Sequence, residues 1–401
     1  MSQQALRINT NFLYYRNRNL LIALISAFSF NQLVTPVLAS SQPNDNWAEL
    51  QRRGVTALDA NQYWIAEPTL KRAMMQAELS NPKDIRLAKS LAELGRLYTI
   101  RGHFDEAESY LEEELSIREL VSGNDRYKCI PTMGSLIQFY ITYGTRNKAE
   151  PLTEEMLSLV EGKLNEARAG STKVRFQKGE PLQGWLGVAA PVMKDPIIEW
   201  AITCDAVGNC HRAAGNLDLA NRLFNAALDI KTTVLGNNHL SLANSYDSLG
   251  GVCLEKKHLA EAESYFTDAL NITEKTLSPE SPQVYSRLDK LAKCLIKEGK
   301  YREAEQLYLR ALTFWKSEPL KHDNEARALF ALGSLYSQEH KYEEAVPYFD
   351  QALQLAEEIN GPNSIAIVPY LQKYAYTLYY LGRKGEIEDI SARVATISGP
   401  K

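Results

Sequence analysis

The chain has 401 residues, with 45 Lys or Arg against 49 Asp or Glu and a formal net charge of −4. Apolar residues make up 45% and charged residues 23%, which excludes wholesale disorder and a collagen-like fibre. The slightly acidic balance argues against a nucleic-acid partner, which would need a basic face. The cysteine count, five, is odd, so complete pairing within one chain is excluded.

Residues 1–39 hold no acidic residue. Arg7, Arg16 and Arg18 precede the apolar run Leu20–Phe30, and the stretch ends on the small-residue exit Val37-Leu38-Ala39. A basic segment, an apolar core and small residues form, in that order, an export signal, with cleavage expected after Ala39. Removal would shift the net charge to about −7. The alternative is a retained anchor, because the segment from Leu20 to Ala39 is about long enough to cross a bilayer. Asn31, Gln32, Thr35 and Pro36 weaken that alternative. Either way the expected location is outside the cytoplasmic membrane: the periplasm, a thylakoid lumen, or a membrane anchor facing that side. Membrane contact is expected only through residues 20–39, if they are kept.

A periodic pattern follows. An Ala recurs at positions 66, 107, 149, 220, 262, 304 and 345, at intervals of 41 or 42 except for one of 71. Around it run Leu-Gly or Leu-Ala, then a turn residue, then the Ala, then an aromatic, as in Leu249, Gly250, Ala262 and Phe266. Apolar residues at Leu91, Leu94, Leu97 and Tyr98 have helical spacing. Gly102, Gly144, Gly215, Gly299 and Gly382 fall where a first helix should stop, and Asn61 takes that place in the first copy. Each unit therefore reads as two antiparallel helices whose small residues allow close approach, with the aromatic expected to pack into the next unit. Such a hairpin cannot bury its face alone, so neighbours must stack.

These residues resemble the tetratricopeptide repeat. The stretch Val234-Leu235-Gly236-Asn237-Asn238-His239-Leu240-Ser241-Leu242-Ala243 is similar to the connector of the kinesin-light-chain variety, with Leu240 in place of its Pro. The resemblance implies an all-α protein: a right-handed α-solenoid of about eight helix-turn-helix units with one inserted loop or hairpin. The organisation read from the chain is a signal over 1–39, units one to three over 46–162, an insertion over 163–196, and units four to eight over 197–396. The third unit is degenerate, with Ile137, Thr153 and Met156 at the small or aromatic positions. The last unit carries Ile387 and Ser391 there and is expected to act as a cap. The insertion contains β-prone runs around a Gly/Pro turn and the aromatics Phe176 and Trp185. It reads either as a loop without a role or as a flap that docks a partner.

The sequence holds no Gly-x-Ser-x-Gly, no phosphate-binding loop, no His-Glu-x-x-His and no dinucleotide-binding glycine cluster. No metal and no cofactor are expected, and no catalytic residue is assigned. Cys204, Cys210, Cys253 and Cys294 read as small core residues, with one inter-unit disulfide left open. The resemblance implies that first helices line a concave groove. Carried over, it assigns to partner binding Asp205, Asn209, Arg212, Asn244, Asp247, Lys290, Lys293, Lys297, Arg327, Lys373, Tyr376 and Tyr380. The Lys290, Lys293, Lys297, Arg327 and Lys373 group runs against the global charge and reads either as plain surface charge or as a dock for an acidic or C-terminal carboxylate segment of another protein, the expected ligand. The function expected is a non-enzymatic protein-interaction scaffold or assembly factor. A rival is a ligand-binding or enzymatic protein with a site under the 163–196 insertion.

Overall fold

The computed structural model describes residues 46–168, 196–278, 281–317 and 323–399. The signal assigned to 1–39, and Phe176 and Trp185 of the insertion, lie outside them. Sixteen α-helices run through the described residues, with no strand among them. In chain order they are α1 (Trp47–Asp59), α2 (Tyr63–Ser80), α3 (Ile85–Ile100), α4 (Phe104–Ser122), α5 (Ile130–Tyr143), α6 (Arg146–Arg168), α7 (Pro196–Ala213) and α8 (Leu217–Leu235). Then come α9 (Leu240–Glu255), α10 (Leu259–Thr276), α11 (Pro282–Lys297), α12 (Tyr301–Ser317), α13 (Asp323–Gln338), α14 (Tyr342–Asn360), α15 (Val368–Tyr380) and α16 (Lys384–Ser398). Lys163–Arg168 continue α6, so only 169–195 of the stretch read as an insertion fall outside the described residues. No described helix is long and apolar enough to cross a membrane.

The chain divides into two compact units, Met1–Leu97 and Tyr98–Lys401. In the first, α1 starts on the side chain of Asn46, which accepts from the Glu49 amide. Trp47 donates through its indole to Ser90 at 3.0 Å, and Ser90 donates to Gln51 at 2.8 Å. Gly54 lets α2 approach, since a Cβ there would stand 2.6 Å from Leu70.

The second unit repeats one turn. Between the two helices of each pair a single residue has positive φ: Gly102, Gly144, Gly215, Lys257, Gly299, His340 and Gly382, with Asn61 in the first unit. In most of these turns the next residue's amide reaches back five positions, as His258 to Cys253 at 2.8 Å and Lys341 to Tyr336 at 2.9 Å. That bond satisfies a carbonyl the helix end would leave open. Lys257 and His340 occupy the left-handed position without being Gly or Asn, so no punctuating residue marks those two turns in the sequence.

In three pairs the aromatic lies over the glycine of its own pair as well as against the next one. A Cβ on Gly208 would come within 2.8 Å of the Phe224 ring, one on Gly250 within 2.7 Å of Phe266, and one on Gly333 within 3.1 Å of Phe349. The missing side chain is the space the ring fills. Phe349 also meets Tyr374 of the following pair, with centroids 6.0 Å apart. In the third pair Ile137, Thr153 and Met156 are fully buried without a ring. Thr153 instead hydrogen-bonds His211 of α7 at 2.9 Å, and Gly134 admits Thr203, whose methyl would stand 2.2 Å from an added Cβ. At the far end α16 has no fully buried residue, in keeping with a cap.

Candidate functional site

The first helix of each pair supplies the residues assigned to binding, and on α7 and α9 Asp205 and Asp247 face buried cations. Asp205 of α7 accepts from Lys231 of α8 at 2.5 Å, and Lys231 also donates to Ser245 of α9 at 2.7 Å. The Lys231 side chain is 7% exposed and that of Asp205 25%. Burial raises the Asp205 pKa, and the attraction of Lys231 opposes it. Asn244 and Asp247 of α9 face a second buried cation, Arg287 of α11. Arg287 donates to Asn244 at 2.7 Å and lies 3.5 Å from Asp247. Burial lowers the Arg287 pKa. Lys290 closes this group on Asp247 at 2.8 Å. Arg212 pairs with Glu255 at 3.0 Å, and the exposed Asn209 donates to the Asp205 carbonyl at 2.9 Å.

The helices α11 and α13 leave a gap. A cavity of about 440 Å³ opens between them, with Tyr308 of α12 in its wall. Its apolar lining includes Ile296, Phe330, Ala331 and Leu335, and its polar lining Tyr285, Asp289, Lys293, Asn324, Arg327 and Ser334. Lys293 bonds Asp289 at 2.6 Å, and the Tyr308 hydroxyl donates to the same carboxylate at 3.1 Å. Arg327 reaches Asp323 through Nε at 3.0 Å. The structure thus brings together Lys293 and Arg327 from the residues assigned in the sequence. Lys297 is exposed on α11.

Lys373, Tyr376 and Tyr380 form a separate patch on α15. The Lys373 ammonium stands 4.9 Å from the Tyr376 ring centre, and Tyr376 meets Tyr380 edge-on at 5.0 Å. Tyr380 in turn stacks on Tyr342 at 4.7 Å. Tyr376 and Tyr380 are about half exposed.

Sequence reasoning passed over Tyr285, Tyr308, Lys231 and Arg287. Two of them carried a signal. Tyr308 stands where Phe224, Phe266 and Phe349 stand in other pairs, and its hydroxyl is what reaches Asp289. Tyr285 occupies the position held by Ala201, Ala243 and Ala326, so α11 alone of these four first helices projects a phenol there.

All five cysteines are free, and no disulfide joins the pairs. Burial pushes the Cys204 thiol up to about 12 and those of Cys253 and Cys294 to about 11, so none is a ready nucleophile. Among the described residues no group of three or more His, Cys, Asp or Glu is placed to hold a metal ion.

Comparison with known proteins bears on the repeats. Two family profiles, both described as tetratricopeptide repeat, match residues 201–275 and 283–358, and residues 87–126. The protein KINESIN LIGHT CHAIN-RELATED 1 of Arabidopsis thaliana is 23% identical over 322 residues, 79% of this chain and 48% of that protein. The chain therefore spans about half the length of that curated relative. Among solved structures, BtubC from P. vanneervenii is 16% identical with a TM-score of 0.43, covering 64% of this chain and 92% of its own. The apo form of RapI is 14% identical with a TM-score of 0.48, covering 87% and 86%. The described residues form an all-α array of two-helix units, and residues 87–126, 201–275 and 283–358 match tetratricopeptide repeats.

Proposed function

We propose that the chain is an exported, non-enzymatic scaffold that docks an acidic segment of a partner protein along the inner side of pairs six to eight. The observation that carries this reading is the contrast in cation exposure. Lys231 and Arg287 are buried against carboxylates, whereas Lys293, Lys297 and Arg327 are exposed on consecutive first helices. Lys373 and the half-exposed Tyr376 and Tyr380 add a second, separate patch on α15. Exposed ion pairs such as Lys293–Asp289 and Arg327–Asp323 are worth little in water and can be exchanged for a partner's carboxylate. Tyrosine adds contact area at low entropic cost. Tetratricopeptide arrays as a fold are suited to this work because stacked pairs offer a long surface. The Arg-flanked apolar run before Ala39 supports export.

Two measurements test the reading. N-terminal sequencing of the native protein should begin near Ser40, and an intact terminus in a cytosolic fraction would overturn export. Partners recovered on the immobilised chain from an envelope extract should elute as salt rises, because screening shortens the reach of surface charge to about 10 Å at 0.1 M. Recovery that is indifferent to salt would overturn the acidic-segment reading.

A further inference from the structure

The cavity between α11 and α13 carries more hydrogen-bonding capacity than the protein uses. Its one carboxylate, Asp289, is already satisfied by Lys293 and the Tyr308 hydroxyl. The groups left over are mostly donors. The Tyr285 side chain is more than nine-tenths buried, and its hydroxyl makes no hydrogen bond among the described residues. Ser334 Oγ is buried in the same wall without a partner. Arg327 pairs with Asp323 through Nε at 3.0 Å, and both side chains are half exposed or more, so the pair is one an incoming anion can exchange. The unmade hydrogen bond of the buried Ser334 hydroxyl carries a desolvation cost, which an incoming partner would recover. The lining holds two cations and one carboxylate, and Asp323 beside Arg327 balances the second cation. Phe330 and Leu335 add an apolar surface that suits a short carbon skeleton.

We propose that this cavity is a binding site for a small organic oxyanion, a carboxylate- or phosphate-bearing molecule of a few carbons. Arg327 and Lys293 would supply the charge, and Tyr285 and Ser334 the neutral donors. Arg327 sets the anion preference because a guanidinium matches two oxygens at once. The site lies on the side proposed for partner docking, so an occupied cavity would compete with an acidic segment there. Its existence does not depend on that docking.

The test uses the full chain alone, titrated calorimetrically with succinate and with inorganic phosphate at ionic strength held constant with sodium chloride. Saturable one-to-one binding of either anion is expected, and which of the two binds assigns the carboxylate or the phosphate class. Arg327→Gln should weaken it about tenfold, near 1.4 kcal/mol. Tyr285→Phe should leave the melting temperature within about a degree, because its hydroxyl bonds nothing in the fold, and yet weaken binding about threefold. The proposal is overturned if neither anion binds beyond chloride, or if both variants bind as the wild type does. A negative titration would leave the docking of a partner segment standing, and salt-indifferent partner recovery would leave this titration unaffected.

Discussion

On α7 and α9 the carboxylates Asp205 and Asp247 face the buried cations Lys231 and Arg287, whereas on α11 and α13 the cations Lys293 and Arg327 border an open cavity. Asp205, Asp247 and Asp289 hold the equivalent place on α7, α9 and α11, yet the first two face buried cations and the third an exposed one. In pairs four and five the charges cross-link helices: Lys231 joins α7, α8 and α9, and Arg287 joins α11 to α9. Lys293 and Lys297 of α11 and Arg327 of α13 stay at the surface. The comparison teaches that an inner position in a repeat is not by itself a binding position. What decides is whether a neighbouring helix, the second of the same pair for Lys231 or the first of the next pair for Arg287, supplies a buried counter-charge.

The largest expected effect follows from that difference. Lys231→Met should cost about 3 kcal/mol in urea denaturation, because it strands Asp205 and Ser245 in a partly buried setting. Asp205→Asn in the same chain should recover part of the loss. Lys293→Met should cost less than about 1 kcal/mol, since its partner Asp289 keeps water and the Tyr308 hydroxyl. Equal losses at Lys231 and Lys293 would erase the distinction between the two regions.

A second effect is a pH dependence on the buried side. His211 is 2% exposed, and the Thr153 hydroxyl beside it already donates to the Ala149 carbonyl, so the imidazole must act as donor. Burial holds its pKa below the ordinary 6.5, and Glu150 pulls the other way. As pH falls below 6.5 the unfolded chain takes up a proton that the folded chain resists, so stability is full above 6.5 and declines toward the lowered folded value. Melting curves between pH 5 and 8 should show this decline, and His211→Gln should flatten it. A wild-type slope retained in His211→Gln would assign the dependence to other groups.

The smallest effect is at a turn that touches neither region. Lys257 has φ 64°, so Lys257→Gly should relieve the left-handed strain. The extra freedom of glycine in the unfolded chain offsets part of that, leaving a gain of about 0.5 kcal/mol. A loss of stability would mean that the Lys257 side chain does more than the turn requires.

Most of the fold was legible because the 41- or 42-residue spacing repeats the same Ala and the same small-residue seat, and a register that recurs this often has few alternatives. The turns at Lys257 and His340 were not legible, because nothing in a Lys or His announces positive φ. The binding residues were legible only in part. Lys293 and Arg327 could be placed from their helix positions. That Asp205, Asn244 and Asp247 would be engaged by buried cations depended on Lys231 and Arg287, whose long side chains are ordinarily exposed. Tyr285 was visible only as a departure from Ala201, Ala243 and Ala326 at its repeat position.

The central claim is that pairs six and seven keep cations available to an acidic partner segment. Fluorescence anisotropy of a fluorescein-labelled hexaglutamate peptide tests it most directly, comparing wild type with Lys293→Glu plus Arg327→Glu at low and high salt. The account predicts that wild-type affinity falls as salt rises, and that the double variant loses both the binding and its salt dependence. The same affinity and the same salt slope in both proteins would contradict it.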